Sequence, residues 1–434
     1  MEMEVIVTWC VEQSPSLNLK CMYAELKMKG AEQPPAPPRP LHPSPRPPRS
    51  GAPRRWQAQD PAVPLLGSLL LLRTSLVDAE HLLRRHGPVV SLRVGSRLSI
   101  LVADRRVAHA LLVERGAALA DRPDLVVNSG CTVSGAGYGP AWRLLRRNLV
   151  SETLHPSRAR LFAPARAWAR RLLLDKLREP RPDGGGVVVM DAFRHASAHV
   201  LRPEARRGRR AARLAHGAQE AADQASANGG GHDDVRALVS YVDTLLGIKL
   251  PGEEESSRAL TDDEMVSLCS EFLNAGTDTT STALEWIMAE LTKNPRVQEK
   301  LYHEITKAQQ QRGDGDEEVS EEETHGMPYL KAVVLEGLRK HPPGHLVLPH
   351  RAAGDMEVVN FMVAEMGRDE RDREIRMMPF GVGRRICAGL GVAMLHLEYL
   401  VANLVKEFEW REVAGDDVDL AEKPEFTVVM PRIT

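Results

Sequence analysis

Cysteine is sparse in this 434-residue chain, long apolar runs are missing, and neither sign of charge prevails. The five cysteines (Cys10, Cys21, Cys131, Cys269 and Cys387) are odd in number and scattered, with no C-x-x-C pair. That excludes a disulfide scaffold and the usual zinc spacings. The longest apolar run, Leu65 to Leu72, is broken by Gly67 and Ser68, and a membrane-spanning helix needs about 20 apolar residues. Met1 to Gly30 carries charges throughout, so neither a span nor a secretory signal is expected. A formal charge of −2 gives no basic field to hold nucleic acid or an anionic membrane. What remains, 43% hydrophobic and 27% charged residues, describes a soluble globular protein with ample length for a buried core.

Residues 1–60 read as a disordered Pro/Arg-rich tail. Twelve of the 30 prolines lie between Pro34 and Pro64, interleaved with Arg39, Arg46, Arg49, Arg54 and Arg55, a composition that favours extended chain over a packed core. A ligand for a proline-binding module is the weaker alternative. Residues 61–434 form the ordered domain. Val89 to Val94 and Leu98 to Val102 alternate around Gly95-Ser96 as a β-hairpin, and Asp104 caps a helix through Arg115. Helices are expected at 141–149, 161–177 and 233–246. Thr261-Asp262-Asp263-Glu264 is a capping box opening a long helix to about Lys293. Asn294-Pro295 breaks it, and further helices follow at 297–310, 329–340 and 389–407. The stretch 194–228 is aberrant: its first 23 positions hold seven arginines and three histidines with almost no apolar stripe. It reads as exposed and disordered; an RNA or anionic-lipid patch is the lesser reading, because no aromatic residue lies among the arginines.

The strongest chemical signal is Phe380-Gly381-Val382-Gly383-Arg384-Arg385-Ile386-Cys387-Ala388-Gly389. Its glycines let the backbone loop tightly beneath a flat ligand, and the following helix N-terminus favours a negative sulfur. Such a thiolate suits axial ligation of a haem iron; a lone cysteine near a helix start is more often a small buried hydrophobe, and the full ten-residue string reverses that balance. A second signal, Ala275 to Thr280, puts Gly276, Asp278 and Thr279 in the interior of the long helix, where propensity disfavours them. Either they line a groove over a ligand, where hydroxyl and carboxylate relay protons to a reacting oxygen, or the hydroxyls bond back to the previous turn. Glu336 and Arg339 share a helix face and can pair, by default as an exposed ion pair. Trp142 and Arg146 likewise share a face, though Trp142 reads equally as core.

These strings together resemble the cytochrome P450 monooxygenases, whose haem signature Phe-x-x-Gly-x-Arg-x-Cys-x-Gly is met by Phe380, Gly383, Arg385, Cys387 and Gly389. The segments 261–286 and 377–410 look most like plant A-type members close to family 89. The resemblance implies a mainly α fold with a small β region. It implies heme b with Cys387 as the iron ligand, and propionate contacts from Arg385, Trp142, Arg146, His350 and Arg351. It makes Gly276, Asp278 and Thr279 the oxygen-activation motif, and Glu336 with Arg339 part of a buried network. The implied reaction inserts one atom of O2 into a small apolar substrate, with electrons from NADPH through NADPH–cytochrome P450 reductase, at the endoplasmic reticulum membrane.

The chain departs from the family pattern in three places. A proline-rich tail stands where a hydrophobic anchor is usual. The segment 194–228 replaces the helices that roof the substrate pocket. Between Glu336 and Cys387 the family's Pro-x-Arg-Phe element is missing: Asn360–Gly367 runs directly into Arg368-Asp369-Glu370-Arg371-Asp372-Arg373, leaving Arg371 or Arg373 as stand-ins. A non-catalytic relic, or a sequence with missed exons, therefore stands as the alternative. A haem-binding sensor is weaker still, since sensing needs no Asp278-Thr279 pair.

Overall fold

Thr261 starts the longest helix in the way its sequence predicts. Its hydroxyl accepts from the Glu264 amide at 3.3 Å while the Glu264 carboxylate accepts from the Thr261 amide at 2.9 Å. The structure, a computed structural model, describes residues 3–7, 83, 85–94, 97–123, 132–179, 192–197, 240–251, 257–312, 318–353, 377–412, 418–424 and 427–429. These fall into two compact units, residues 1–119 with 345–378 and residues 120–344 with 379–434.

The first unit is built on a small sheet. Strand β1 (Met3–Val7) runs parallel to β3 (Arg97–Val102), which pairs antiparallel with β2 (Val89–Val94) in the expected hairpin. A short strand β4 (His350–Arg351) pairs antiparallel with β1 on its other side. Val90, Leu101 and Val102 are buried. Helix α1 (Arg105–His109) follows, with Asp104 accepting from the Arg106 and Val107 amides at 2.9 Å each, and it runs into a π-helical turn at Ala110–Glu114. Strand β1 corrects the expectation for residues 1–60 at its very start: Val5-Ile6-Val7 is a β-branched run, and such residues fit a pleated surface. The rest of 1–60 lies outside the described residues.

The second unit is helical. Helices α2 (Pro140–Asn148) and α3 (Ala163–Arg178) precede the long α4 (Asp262–Lys293), followed by α5 (Pro295–Arg312), α6 (Pro328–Lys340) and α7 (Leu390–Glu407). From Thr280 to Ala289 every residue of α4 is buried, because α5, α6 and α7 all pack against it. A helix hydrophobic on all sides belongs in such a core. At the crossing of α4 and α6, Gly337 faces Ile287 so closely that an added Cβ would collide with the isoleucine side chain. The buried cations of α3 are paired: Arg166 reaches Glu321 with two bonds of 2.5 and 2.9 Å, and Arg170 reaches Glu318 at 2.9 Å. Removing one member of such a pair costs far more than the pair contributes.

Two sequence readings change here. Residues 192–197 are helical, with Ala192, Phe193, Ala196 and Ser197 buried and Arg194 exposed; the aberrant stretch thus begins inside a packed turn. The remainder of 194–228 lies outside the described residues. The helix expected over 233–246 is described as Tyr241–Leu246, capped by Ser240 with a bond to Asp243. No helix among the described residues is long and apolar enough to cross a membrane.

Candidate functional site

Gly381 and Gly383 adopt φ of 68° and 71°, the left-handed region that only glycine enters without penalty. They fold residues 380–389 back on themselves, so that the Cys387 amide donates to Phe380 O at 2.8 Å. A single 3-10 turn, Gly383–Arg385, carries the chain toward α7. Phe380 is half-buried beside this loop. The Cys387 side chain is solvent-accessible, yet protein surrounds it closely enough for burial to govern its acidity. Burial pushes the thiol up, while the Gly389 and Leu390 amides and the Arg146 charge act against that rise. The net shift is upward, which corrects the expectation of a ready-made thiolate: the helix N-terminus and the cation are outweighed by desolvation. Arg146, rather than Arg385, is the cation that acts on the sulfur. A coordinated metal removes this obstacle, since a ligating thiol is deprotonated outright.

Around the loop lies a cluster of guanidinium groups. Arg385 donates to Ala120 O at 2.6 Å, Val133 O at 3.3 Å and Ala136 O at 2.6 Å. Arg122 is buried and donates to Ser134 O at 2.9 Å. Arg146 donates to Ile386 O at 2.5 Å. Trp142, also buried, gives its single N–H to Val133 O at 2.9 Å, and Arg385 stacks over its ring. Burial lowers the pKa of Arg122 and Arg385 to about 10 each. Arg385 further depresses Arg122, Arg146 further depresses Arg385, and Asp121 offsets both. Groups held so far from their ordinary state in a confined space mark a functional-site candidate.

The central helix opens in the same unit. Asn274 and Ala275 are exposed and residues 276–279 are half-buried, immediately before the fully buried Thr280–Ala289. The Thr279 hydroxyl donates to Ala275 O at 2.7 Å and the Ser281 hydroxyl to Thr277 O at 2.6 Å. This is the back-bonding alternative, in which the hydroxyls bond to the carbonyls of the preceding turn. Asp278 is 41% exposed and approaches Arg194 at 3.9 Å. Two turns before Asp278, Glu271 accepts from the Val133 and Ser134 amides at 2.7 Å each and from the Ser134 hydroxyl. Sequence reasoning missed Glu271, because an isolated glutamate on a helix carries no sign of a partner 138 positions away.

Glu336 and Arg339 form a two-bond pair at 2.7 and 2.8 Å, with side chains only 15% and 14% exposed. That replaces the default of a solvated pair. Arg371 and Arg373 lie outside the described residues. His350 and Arg351 belong to the other unit, where the buried His350 donates through Nδ1 to Leu119 O at 2.6 Å and β4 pairs them with Val5 and Glu4.

These residues fit a haem. The sulfur is accessible and flanked by two amides, and the mutual repulsion of Arg122, Arg385 and Arg146 calls for a doubly anionic group such as a pair of carboxylates. Three of the five Arg385 N–H donors are engaged, which leaves two for an anion.

The cytochrome P450 family model matches residues 58–202, 219–367 and 364–434. Cytochrome P450 89A9 of Arabidopsis thaliana is 36% identical over 463 residues, covering 85% of this chain and 91% of that protein. (+)-Menthofuran synthase of Mentha piperita is 26% identical, covering 84% and 89%. A zebra fish cytochrome P450 structure with progesterone superposes with a TM-score of 0.63 at 20% identity, covering 82% of this chain and 97% of that one. The matched segments are interrupted between 202 and 219 and overlap at 364–367, within the stretches where the sequence departs from the family pattern. With signature, fold and relatives in agreement, the chain belongs to the cytochrome P450 family, the haem-thiolate monooxygenases, and resembles its plant family 89.

Proposed function

We propose that this chain inserts one atom of O2 into a small apolar substrate, with electrons from NADPH delivered by NADPH–cytochrome P450 reductase. The observation that carries this reading is the accessible Cys387 sulfur, held by a glycine loop beside a net-positive arginine cluster. When bound, the haem supplies the redox chemistry, with thiolate donation favouring O–O cleavage.

The chain's own residues take the following roles. Cys387 ligates the iron, while Gly383 and Gly389 keep the loop free of side chains and Phe380 shields it. Arg385 and Arg146 would hold the propionates, and Trp142 stacks beneath Arg385. The Thr279 hydroxyl, which donates to Ala275 O, turns by a rotation of χ1 to donate to the reacting oxygen instead. Asp278, open to solvent, connects that hydroxyl to water, from which the proton is replaced, and Gly276 leaves room for substrate. Glu336 and Arg339 brace the core behind the ligand loop. An endoplasmic-reticulum location rests on family resemblance.

Cys387→Ala tests the assignment: it abolishes haem binding, and retention of the full haem spectrum would refute it. A second reading, a relic that does not load haem, draws support from the division of the family match into three segments, interrupted between 202 and 219. Restoring a Pro-x-Arg-Phe segment between Glu336 and Cys387 raises haem loading on that reading, and no gain would point to the loss of the pocket helices at 194–228 as the main defect.

A further inference from the structure

His341 stands where Pro342-Pro343 stop α6, and its side chain is almost enclosed: a relative exposure of 8% leaves little room for water. Both ring nitrogens face carboxylates. Nδ1 lies 2.8 Å from Glu422 Oε1 and Nε2 lies 3.0 Å from Glu290 Oε1. An ionised carboxylate only accepts hydrogen bonds, and a neutral imidazole donates from one nitrogen alone. Only the imidazolium donates to both.

The rest of the surroundings agree. The ring stacks on Trp286, with centroids 4.0 Å apart and planes 9° from parallel, and an indole face stabilises a cation. Glu290, on α4, also receives Lys340 Nζ at 2.6 Å and acts on Arg339. Arg339 in turn is paired with Glu336. The cluster therefore holds three carboxylates (Glu290, Glu336, Glu422) against Arg339, Lys340 and His341, and its charges balance when His341 is protonated. Three segments meet there: α4 through Glu290 and Trp286, α6 through Lys340 and His341, and residues 418–424 through Glu422.

We propose that protonated His341 is a pH-sensitive clamp that closes this charge network and fastens the 418–424 segment and α6 onto the central helix. The clamp is a property of the folded chain whether or not haem is loaded. Burial works against the charge on His341, but the hydrogen bonds and charges of Glu290 and Glu422 outweigh it, and its pKa lies above the ordinary 6.5. A histidine raised in the folded state stabilises fully below its unfolded value, and that stability is lost as pH rises through the folded value. Burial also opposes the charge on Glu290, but its His341 and Lys340 partners bring its pKa below the ordinary carboxylate value, so it titrates in acid, away from this window.

The test is urea unfolding of the full chain at low salt across neutral to mildly alkaline pH, for wild type, His341→Gln and Glu422→Gln. Wild type is expected to weaken with rising pH, its unfolding constant growing by up to about tenfold per pH unit, the slope of one proton. His341→Gln is expected to lack that slope. Glu422→Gln is expected to fold and to move the transition to lower pH, which decides the matter should His341→Gln fail to fold. Parallel pH profiles for wild type and His341→Gln, or an unmoved transition in Glu422→Gln, would overturn the clamp.

Discussion

Arg385 lies over the indole of Trp142, its guanidinium carbon 4.4 Å from the ring centroid, and both side chains donate to the same carbonyl, that of Val133. The amide of Val133 faces the other way, to Glu271 on α4. The short segment 132–136 thus couples the ligand loop to the central helix through its backbone and the Ser134 hydroxyl.

Replacing Arg385 by lysine removes the planar fork that reaches three carbonyls at once, and a single ammonium does not reproduce it. A loss of about 2–4 kcal/mol is expected from charge-assisted bonds broken in a half-buried setting. Urea midpoints of Arg385→Lys against wild type measure it, and haem retained on gel filtration should fall in parallel. An unchanged midpoint would mean the three bonds contribute nothing net.

Glu271→Ala leaves the Val133 and Ser134 amides without their carboxylate. Loss of bonds worth about 1.5–3 kcal/mol accelerates their hydrogen exchange by roughly 10- to 100-fold, resolved by peptide-level deuterium uptake. The same peptide in Glu271→Gln should exchange at an intermediate rate, because the amide keeps one acceptor. Uptake equal to wild type in both variants would show that the segment is held by other contacts.

At the crossing of α4 and α6, Gly337→Ala drives a methyl into Ile287. Overpacking of this kind costs about 1–3 kcal/mol. Ile287→Ala in the same chain removes the obstruction, so the double variant should be more stable than the sum of the singles, a coupling visible in a double-mutant cycle. Simple additivity would place the two residues out of contact.

The Cys387 thiol, pushed up by burial, should react slowly with iodoacetamide at neutral pH. Its rate is expected to rise about tenfold per pH unit toward alkaline solution, as the thiolate fraction does. Cys269, half-buried and raised to about 11, should lag behind it. Site-resolved mass spectrometry reads both rates, and haem loading should protect Cys387 while leaving Cys269 unchanged. A fast neutral reaction at Cys387 would restore the low-pKa thiolate expected from the helix N-terminus.

The central helix was legible because its ends are written locally: Thr261 and Glu264 cap it, and Asn294-Pro295 stops it within one residue of the expected position. The ligand loop was legible for a similar reason, its ten residues being contiguous. Contacts that join distant segments were not. Glu271 meets a backbone 138 positions away, and His341 sits between carboxylates 51 and 81 positions off. Helical and capping patterns register neighbours within about four residues, so neither partner leaves a mark. The direction of the Cys387 shift was misread for a related reason. Amides and cations near the sulfur are visible in sequence, whereas desolvation depends on everything that folds around it. Strand β1 escaped notice because its five residues are followed by a long proline-rich stretch whose composition dominated the reading.

The most direct test of the haem-thiolate assignment is the reduced carbon-monoxide difference spectrum of the purified full chain, expressed with a haem supply and compared with Cys387→Ala. A Soret band at the position typical of thiolate ligation, absent from the variant, is the expected result. No haem in the wild-type chain, or a band typical of a lost thiolate, would contradict it.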